Sequence, residues 1–286
     1  LLSSSAAAEA AVLGALRSAR AASLTRRTCC VAMMRLRLGI AEIDSYNMLF
    51  YGHYLRHSER AANSCLGRES TSATVSHVAL AKYVSSVSWN DVVDIRTTAH
   101  PSEDGTLLHE WFVNERYDTP VHVCLCSYDV DGPAGFVGAR TPDGKEARRL
   151  IALQREGAAV FTPQDGAGRS EAFGVYPDMV GPNGALAVPC VMDLFERQRT
   201  VLIGGQEELE RLKLEEGTFI VVYLIQQLRL PPATVVRPRE VVEVSSACTV
   251  QGDGLFYCVK QSVVHLPSGQ LCAEGYLKLA FVRGGA

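Results

Sequence analysis

One stretch of this sequence has residues that could do chemistry, a carboxylate followed by the start of a helix. Asp44 precedes a six-residue loop, and from Tyr51 the apolar or small residues recur at i, i+3, i+4 and i+7. That spacing predicts a helix with one buried face. The first N–H groups of a helix lie at the positive end of its dipole and stabilise a developing anion. A carboxylate beside such a site is suited to acyl transfer.

The residues around this unit resemble the signature of the hotdog-fold acyl-CoA thioesterases, in the branch that includes 4-hydroxybenzoyl-CoA thioesterase. The matching order is Asp44, a loop, an aromatic residue, Tyr51, then Tyr54-Leu55 and Glu59-Arg60-Ala61. The resemblance implies that Asp44 is the catalytic carboxylate and that Tyr51 offers its backbone N–H to the thioester oxygen. Where the family usually has a glycine in the loop, this chain has Tyr46-Asn47.

The resemblance also implies roles for other residues of the helix. Gly52 would add a second N–H to the oxyanion site, His53 would line the mouth of the pocket, and Tyr54 belongs to the same substrate-binding group. Glu59, two turns into the helix, is a polar support or a second acid–base group. Coenzyme A thioester is then the substrate, and no cofactor is predicted.

These residues also have a purely structural interpretation. A short acid such as Asp44 commonly orders a loop or caps a helix. Glu59-Arg60 is equally consistent with a solvated pair on the helix surface. His53 and His57 have the spacing of two metal ligands on one helix face, but no third ligand accompanies them. No metal site is predicted.

Composition indicates an ordinary globular chain. Its 286 residues suggest one or two domains, and the apolar share of 47% and charged share of 21% are typical. The net charge of −3 is uneven, because residues 1–37 hold six arginines against one acid, Glu9. The rest is acidic, which argues against nucleic-acid binding. No apolar run reaches the length of a membrane span.

The cysteines and the N-terminal residues indicate the cellular compartment of the protein. Nine cysteines include no C-x-x-C pair, and Cys124 and Cys126 alternate on one face of a predicted strand. An odd number in apolar settings favours reduced thiols and a reducing compartment. Residues 1–31 are rich in Ala, Ser and Arg, which is typical of an organelle transit peptide, although a surface helix is an alternative. A mitochondrial location is predicted, with a plastid or the cytoplasm as alternatives.

The order of predicted elements occurs twice. A strand ending in an acid, a helix and four further strands are predicted over 32–130, and again over 170–286, where Asp178 takes the place of Asp44. Glu196-Arg197 matches Glu59-Arg60. Residues 131–169 are a linker with one short helix. The predicted fold is therefore α+β, with two tandem hotdog domains joined edge to edge, each a curved antiparallel sheet around one long helix.

Two functions from different classes follow. The first is hydrolysis of an acyl-CoA or acyl-carrier-protein thioester, with Asp44 as nucleophile or general base. The alternative is a catalytically inactive hotdog subunit of a larger organellar assembly, with other protein subunits as partners. A third idea is an acyl-CoA-binding regulator without chemistry.

In the second half, Pro189 predicts that the helix start moves or kinks and that this half is structural.

Overall fold

The computed structural model describes residues 32–44, 47–66, 72–102, 105–115, 119–130, 142–162, 168–181, 183–231, 234–251 and 256–283. The predicted extension over residues 1–31 lies outside them, and the predicted domain boundaries stay predictions. The strands of the first half are β1 (Ala32–Arg37), β2 (Ala73–Tyr83), β3 (Val92–Ser102), β4 (Gly105–Asn114) and β5 (Thr119–Val130). Those of the second half are β6 (Gly168–Gly174), β7 (Thr218–Arg229), β8 (Val241–Gln251), β9 (Phe256–His265) and β10 (Gln270–Arg283).

These strands form one antiparallel sheet in the order β1-β3-β4-β5-β2-β7-β10-β9-β8-β6. The order is the same from either end, with β6 to β10 taking the places of β1 to β5. The halves meet where β2 pairs with β7, from His77 opposite Arg229 to Lys82 opposite Leu224. The predicted joining of two sheets edge to edge is confirmed.

The helices are α1 (Tyr51–Ser64), α2 (Gly144–Ala158), α3 (Val188–Ile203) and α4 (Gln206–Glu215). Helices α1 and α3 share the largest core cluster with one face of the sheet, and they contact each other. Helix α2 lies on the other face, where Leu150 packs among residues of β2, β4, β5 and β7. The short helix predicted in the linker thus packs over the junction of β2 and β7.

Helix α2 is defined by its own sequence. The carboxylate of Asp143 accepts the backbone N–H groups of Lys145 and Glu146, both at 2.9 Å, which caps the first turn. Near its other end, a Cβ on Gly157 would lie 2.4 Å from the carbonyl oxygen of Ala79. Only glycine permits this close approach of the helix to β2.

The first strand of each half is shorter than the sequence predicts. Strand β1 ends at Arg37, and a 3-10 turn over Ile40–Glu42 separates it from Asp44. The side chain of Glu42 accepts the N–H of Gly39 at 2.9 Å, which stabilises this turn. The second half repeats the break, because β6 ends at Gly174 and the turn Pro177–Met179 follows. Asp178 therefore lies inside a turn rather than at a strand end.

Candidate active site

Asp44 organises the loop between this turn and α1. Its N–H donates to the carbonyl oxygen of Met48 at 2.8 Å, and its carboxylate oxygen Oδ1 accepts the N–H of Met48 at 3.1 Å. Asn47 donates its N–H to the carbonyl oxygen of Asp44 at 3.0 Å, with φ at +59°. Asparagine tolerates this left-handed conformation, so the loop is made without a glycine. The half-buried Asp44 thus has a structural task.

Helix α1 begins at Tyr51, the residue predicted for its start, and ends at Ser64. Phe50 precedes the helix and has no side-chain acceptor to cap it. The N–H of His53 donates to the carbonyl oxygen of Phe50 at 2.9 Å. The N–H groups of Tyr51 and Gly52 are therefore the ones that an oxyanion would have to reach.

The side chain of Tyr51 lies in the seam between the two long helices. Its hydroxyl donates to the carbonyl oxygen of Met192 in α3 at 2.8 Å and accepts a hydrogen bond from Nη2 of Arg199 at 2.8 Å. Burial raises the pKa of Tyr51, and the Arg199 guanidinium opposes this only in part. The carbonyl oxygen of Tyr51 accepts the hydroxyl of Tyr83 at 3.1 Å. Tyr51 is thus held from both sides of α1.

Gly52 marks the closest approach of α1 to α3. A Cβ at this position would lie 2.9 Å from the Cβ of Met192 and 2.7 Å from the ring of Phe50. Even one methyl group does not fit without movement. The Cα of Gly52 is therefore in close contact with α3 and Phe50.

The remaining predicted binding residues lie in two different environments. Tyr54 is 3% exposed, with its ring centroid 4.7 Å from that of His122 and 5.3 Å from that of Tyr83. Burial raises the pKa of Tyr54, and the nearby charge of Asp44 adds to the rise. His53 is half-buried against Phe50, and burial followed by the charge of Arg56 lowers its pKa. The structure thus places Tyr54 in an aromatic core cluster.

Glu59 is separated from Asp44 along the helix. It lies eight residues after Tyr51, or about 12 Å along the axis at 1.5 Å per residue. Its Oε1 accepts the N–H of Val75 in β2 at 3.2 Å, and burial raises its pKa. The carboxylate of Glu59 is thus bonded to β2, and the catalytic roles predicted for Asp44, Tyr51 and Glu59 stay predictions.

The second half has the same loop with different residues. The bridge between Ile43 and Leu49 corresponds to one between Val180 and Leu186, which places Gly181 at the position of Asp44. Gly181 repeats the backbone bonds of Asp44, with its N–H donating to Ala185 at 2.8 Å and its carbonyl accepting from Gly184 at 3.0 Å. The prediction that Asp178 matches Asp44 is wrong by three residues.

The predicted displacement of the second helix is also wrong. Pro189 occupies the first turn of α3, where a backbone N–H would find no acceptor within the helix, so proline is tolerated there. Pro189 matches Gly52 of α1. The spacing from Gly181 to Glu196 is fifteen residues, as from Asp44 to Glu59. The second half therefore keeps the helix position and lacks the carboxylate.

Arg199 and Gln261, which the sequence analysis did not single out, complete the site. Arg199 is 4% exposed and also donates to the side-chain oxygen of Gln261 at 2.9 Å and to Glu196 at 3.0 Å. Its spacing from Met192 and Phe195 places it on the buried face of α3, which is the pattern that would have identified it. An arginine on an apolar stripe requires a buried partner.

Neither a family model nor a curated protein sequence matches this chain. Comparison with solved structures gives similarity at low sequence identity. The 12:0-ACP thioesterase from Umbellularia californica superposes with a TM-score of 0.60 at 9% identity, covering 87% of this chain and 94% of that one. A protein with the hotdog fold from Alicyclobacillus acidocaldarius gives 0.54 at 13% identity, covering 90% and 97%.

The dehydratase domain of PpsC from Mycobacterium tuberculosis is also similar, with a TM-score of 0.52 at 9% identity and coverage of 88% and 93%. At these identities the similarity establishes the fold, and this fold carries more than one reaction. The chain thus folds as two hotdog domains in tandem, as predicted. No helix among the described residues is long and apolar enough to cross a membrane.

Proposed function

We propose that this chain is a non-catalytic hotdog scaffold, an accessory subunit of a larger organellar protein assembly. The observation that carries the proposal is the seam between α1 and α3. A thioester oxygen must come within about 3 Å of its N–H donors. At Gly52 the two helices approach so closely that a new Cβ would lie 2.9 Å from the Cβ of Met192, so the side of the helix start that faces α3 has no space for an acyl group.

The contacts of the seam support a permanent closure. Arg199 of α3 donates to the hydroxyl of Tyr51 in α1, and that hydroxyl donates to the carbonyl oxygen of Met192. Opening the seam would break both bonds, although Arg199 would keep Gln261 and Glu196 as partners in the second half. A hydrogen bond to a charged group contributes about 1.5–3 kcal/mol, and an acyl chain would have to offset this loss in addition to separating the helices.

An exposed apolar surface supports the accessory role. Met33 of the edge strand β1, Ile40 of the 3-10 turn and Trp89 are 65%, 74% and 59% exposed. The Leu38 N–H donates to Asp91 and its carbonyl accepts from Asn90, so the segments that carry Ile40 and Trp89 run side by side. An exposed tryptophan beside other large apolar residues is typical of a protein–protein contact.

Thioester hydrolysis is the second candidate, and one observation favours it. Asp44 is only half-buried, and Asn47 adopts a left-handed φ of +59° in a loop that lacks the family's usual glycine. The shared fold with an acyl-carrier-protein thioesterase agrees with this candidate. In that case acyl-CoA or acyl-carrier protein is the partner, and Asp44 is nucleophile or general base.

The deciding experiment is a hydrolysis assay on the purified chain with short, long and aromatic acyl-CoAs and with acyl-carrier protein. We expect no turnover above buffer for the wild type, Asp44→Asn or Asp178→Asn, the last being a control acid in the 3-10 turn of the second half. Hydrolysis that is lost in Asp44→Asn and kept in Asp178→Asn would overturn the scaffold proposal and establish the second candidate.

The accessory role has its own readout in cell extracts. A tagged full-length chain is expected to sediment with an organellar assembly much larger than its 31.0 kDa. Replacing both Ile40 and Trp89 with Ser is expected to release it. Sedimentation of the wild type at the mass of the free chain would contradict the proposal.

A further inference from the structure

A carboxylic acid lies in the core of the first half without a cationic partner. Glu110 of β4 is fully buried on the sheet face that α1 covers. The hydroxyls of Thr97 and Tyr128 reach its two oxygens only at 3.4 Å each. Burial raises the pKa of Glu110 to about 8, and hydrogen bonds from the hydroxyls of Ser58, Tyr128 and Thr97 oppose this only in part. Buried acids are normally paired or bound to a metal.

Two thiols converge on the same place. Cys124 and Cys126 of β5 are fully buried and point to the same face of the sheet as Glu110, with their Sγ atoms 2.8 Å apart. Both sulfur atoms and a carboxylate oxygen of Glu110 lie within 4.8 Å of one another. Within the described part of the chain, this is the one group of three such ligands.

The second half shows what the fold does at this position without the acid. Thr97 pairs with Glu110 and Ser246 pairs with Gln261, so Gln261 is the counterpart of Glu110. Gln261 donates to Phe195 and Ser246 and accepts from Arg199, all at 2.9 Å. The counterparts of Cys124 and Cys126 are Gly275 and Leu277. The half that holds the acid is also the half that holds both thiols.

We infer that Glu110, Cys124 and Cys126 bind one Zn²⁺ ion. Two thiolates and a carboxylate suit zinc, and a closed buried site is typical of a structural zinc. Binding releases the two thiol protons and the carboxyl proton to solvent and leaves one net negative charge at the site. The sulfur atoms must separate to about 3.8 Å to hold zinc at about 2.3 Å in tetrahedral geometry.

Zinc bound by these three residues would tie β4 to β5 beneath α1. This departs from the sequence-based prediction of no metal, because Glu110 and the cysteines lie on separate strands and have no spacing signature.

The experiment uses the purified full-length chain, reduced and freed of metal with a chelator. Titration with Zn²⁺ against a chromophoric competitor is expected to give one ion per chain, with about three protons released. Cd²⁺ is expected to produce the ultraviolet charge-transfer band of cadmium–thiolate bonds. Cys124→Ser and Cys126→Ser should each weaken affinity at least about 100-fold, and Glu110→Gln about 10–100-fold.

The matched control is Cys258→Ser, which removes a buried thiol of β9 and should leave zinc affinity unchanged. Circular dichroism identifies any variant that fails to fold, and Glu110→Gln keeps the side-chain shape. Absence of stoichiometric zinc, equal affinity in Glu110→Gln and the wild type, or a Cys124–Cys126 disulfide in the protein isolated without reductant would each overturn the site.

Discussion

The two halves of the molecule build one backbone from different residues. In each half a 3-10 turn, an isolated bridge and a tight loop lead into the long helix, with matching hydrogen bonds. The loop of the first half contains Asp44 and Asn47, and that of the second half contains Gly181 and Gly184. The fold therefore does not require a carboxylate at this position.

The seam between the helices is asymmetric. Ala62 of α1 and Arg199 of α3 occupy matching positions, and only the arginine crosses to the opposite helix. In the sheet beneath, Gln261 accepts a hydrogen bond from Arg199 at 2.9 Å, whereas the hydroxyls of Thr97 and Tyr128 reach Glu110 at 3.4 Å. The second half thus supplies the arginine that crosses the seam, and the first half holds a buried acid with longer hydrogen bonds.

The largest expected difference between the halves is a pH effect at Glu110. Its pKa is about 8 in the folded chain and near 4.5 when unfolded, so the folded state binds more protons between these values. The free energy of unfolding of the metal-free chain should fall by up to about 1.4 kcal/mol per pH unit as pH rises through this window. Urea denaturation across the window, with zinc absent, measures the slope.

Replacement with the residue of the other half is the control for this slope. Glu110→Gln should remove most of it, whereas Glu59→Gln, whose carboxylate already accepts the N–H of Val75, should leave most of it in place. An unchanged slope in Glu110→Gln would mean that this acid titrates alike in both states.

The next effect concerns Arg199. Arg199→Met should lower the free energy of unfolding by about 3 kcal/mol, because the side-chain oxygen of Gln261 and the hydroxyl oxygen of Tyr51 each lose the donor that Arg199 supplies. Arg197→Met removes an exposed arginine two residues away and should cost less than about 0.5 kcal/mol. A double-mutant cycle with Tyr51→Phe should give a coupling of about 1–2 kcal/mol. Additive losses would show that the helices are not joined through this bond.

Gly52 is expected to give a smaller loss. Gly52→Ala should destabilise by about 1–2 kcal/mol, because the clash with Met192 outweighs the better helix propensity of alanine. Gly144→Ala, in the first turn of α2 with nothing within 4 Å of the new Cβ, should be neutral or stabilising. Thermal and urea unfolding compare the two. Equal effects would show that the seam has room for side chains, which would weaken the scaffold proposal.

The sequence predicted more of the fold than of the site. Tyr51 as the helix start, the repeat of the elements and the edge-to-edge sheet follow from local periodicity and turn residues. Asp178 was misplaced because a 3-10 turn after β6 has no strong sequence signal. The contacts of Arg199 with Tyr51 and of Glu110 with the thiols join residues far apart in the chain, so no local pattern contains them.

The smallest expected effect concerns the loop at Asn47. Asn47→Ala should destabilise by about 1 kcal/mol, because alanine is strained at the φ of +59° that this residue adopts. Asn47→Gly should stay within about 0.5 kcal/mol of the wild type. Gly184→Ala should cost somewhat more, since φ is +78° there and the new Cβ would lie 3.1 Å from Val235. If Asn47→Ala were neutral in urea unfolding, the loop of the first half would not need its left-handed residue, and the match between the two loops would fail at this point.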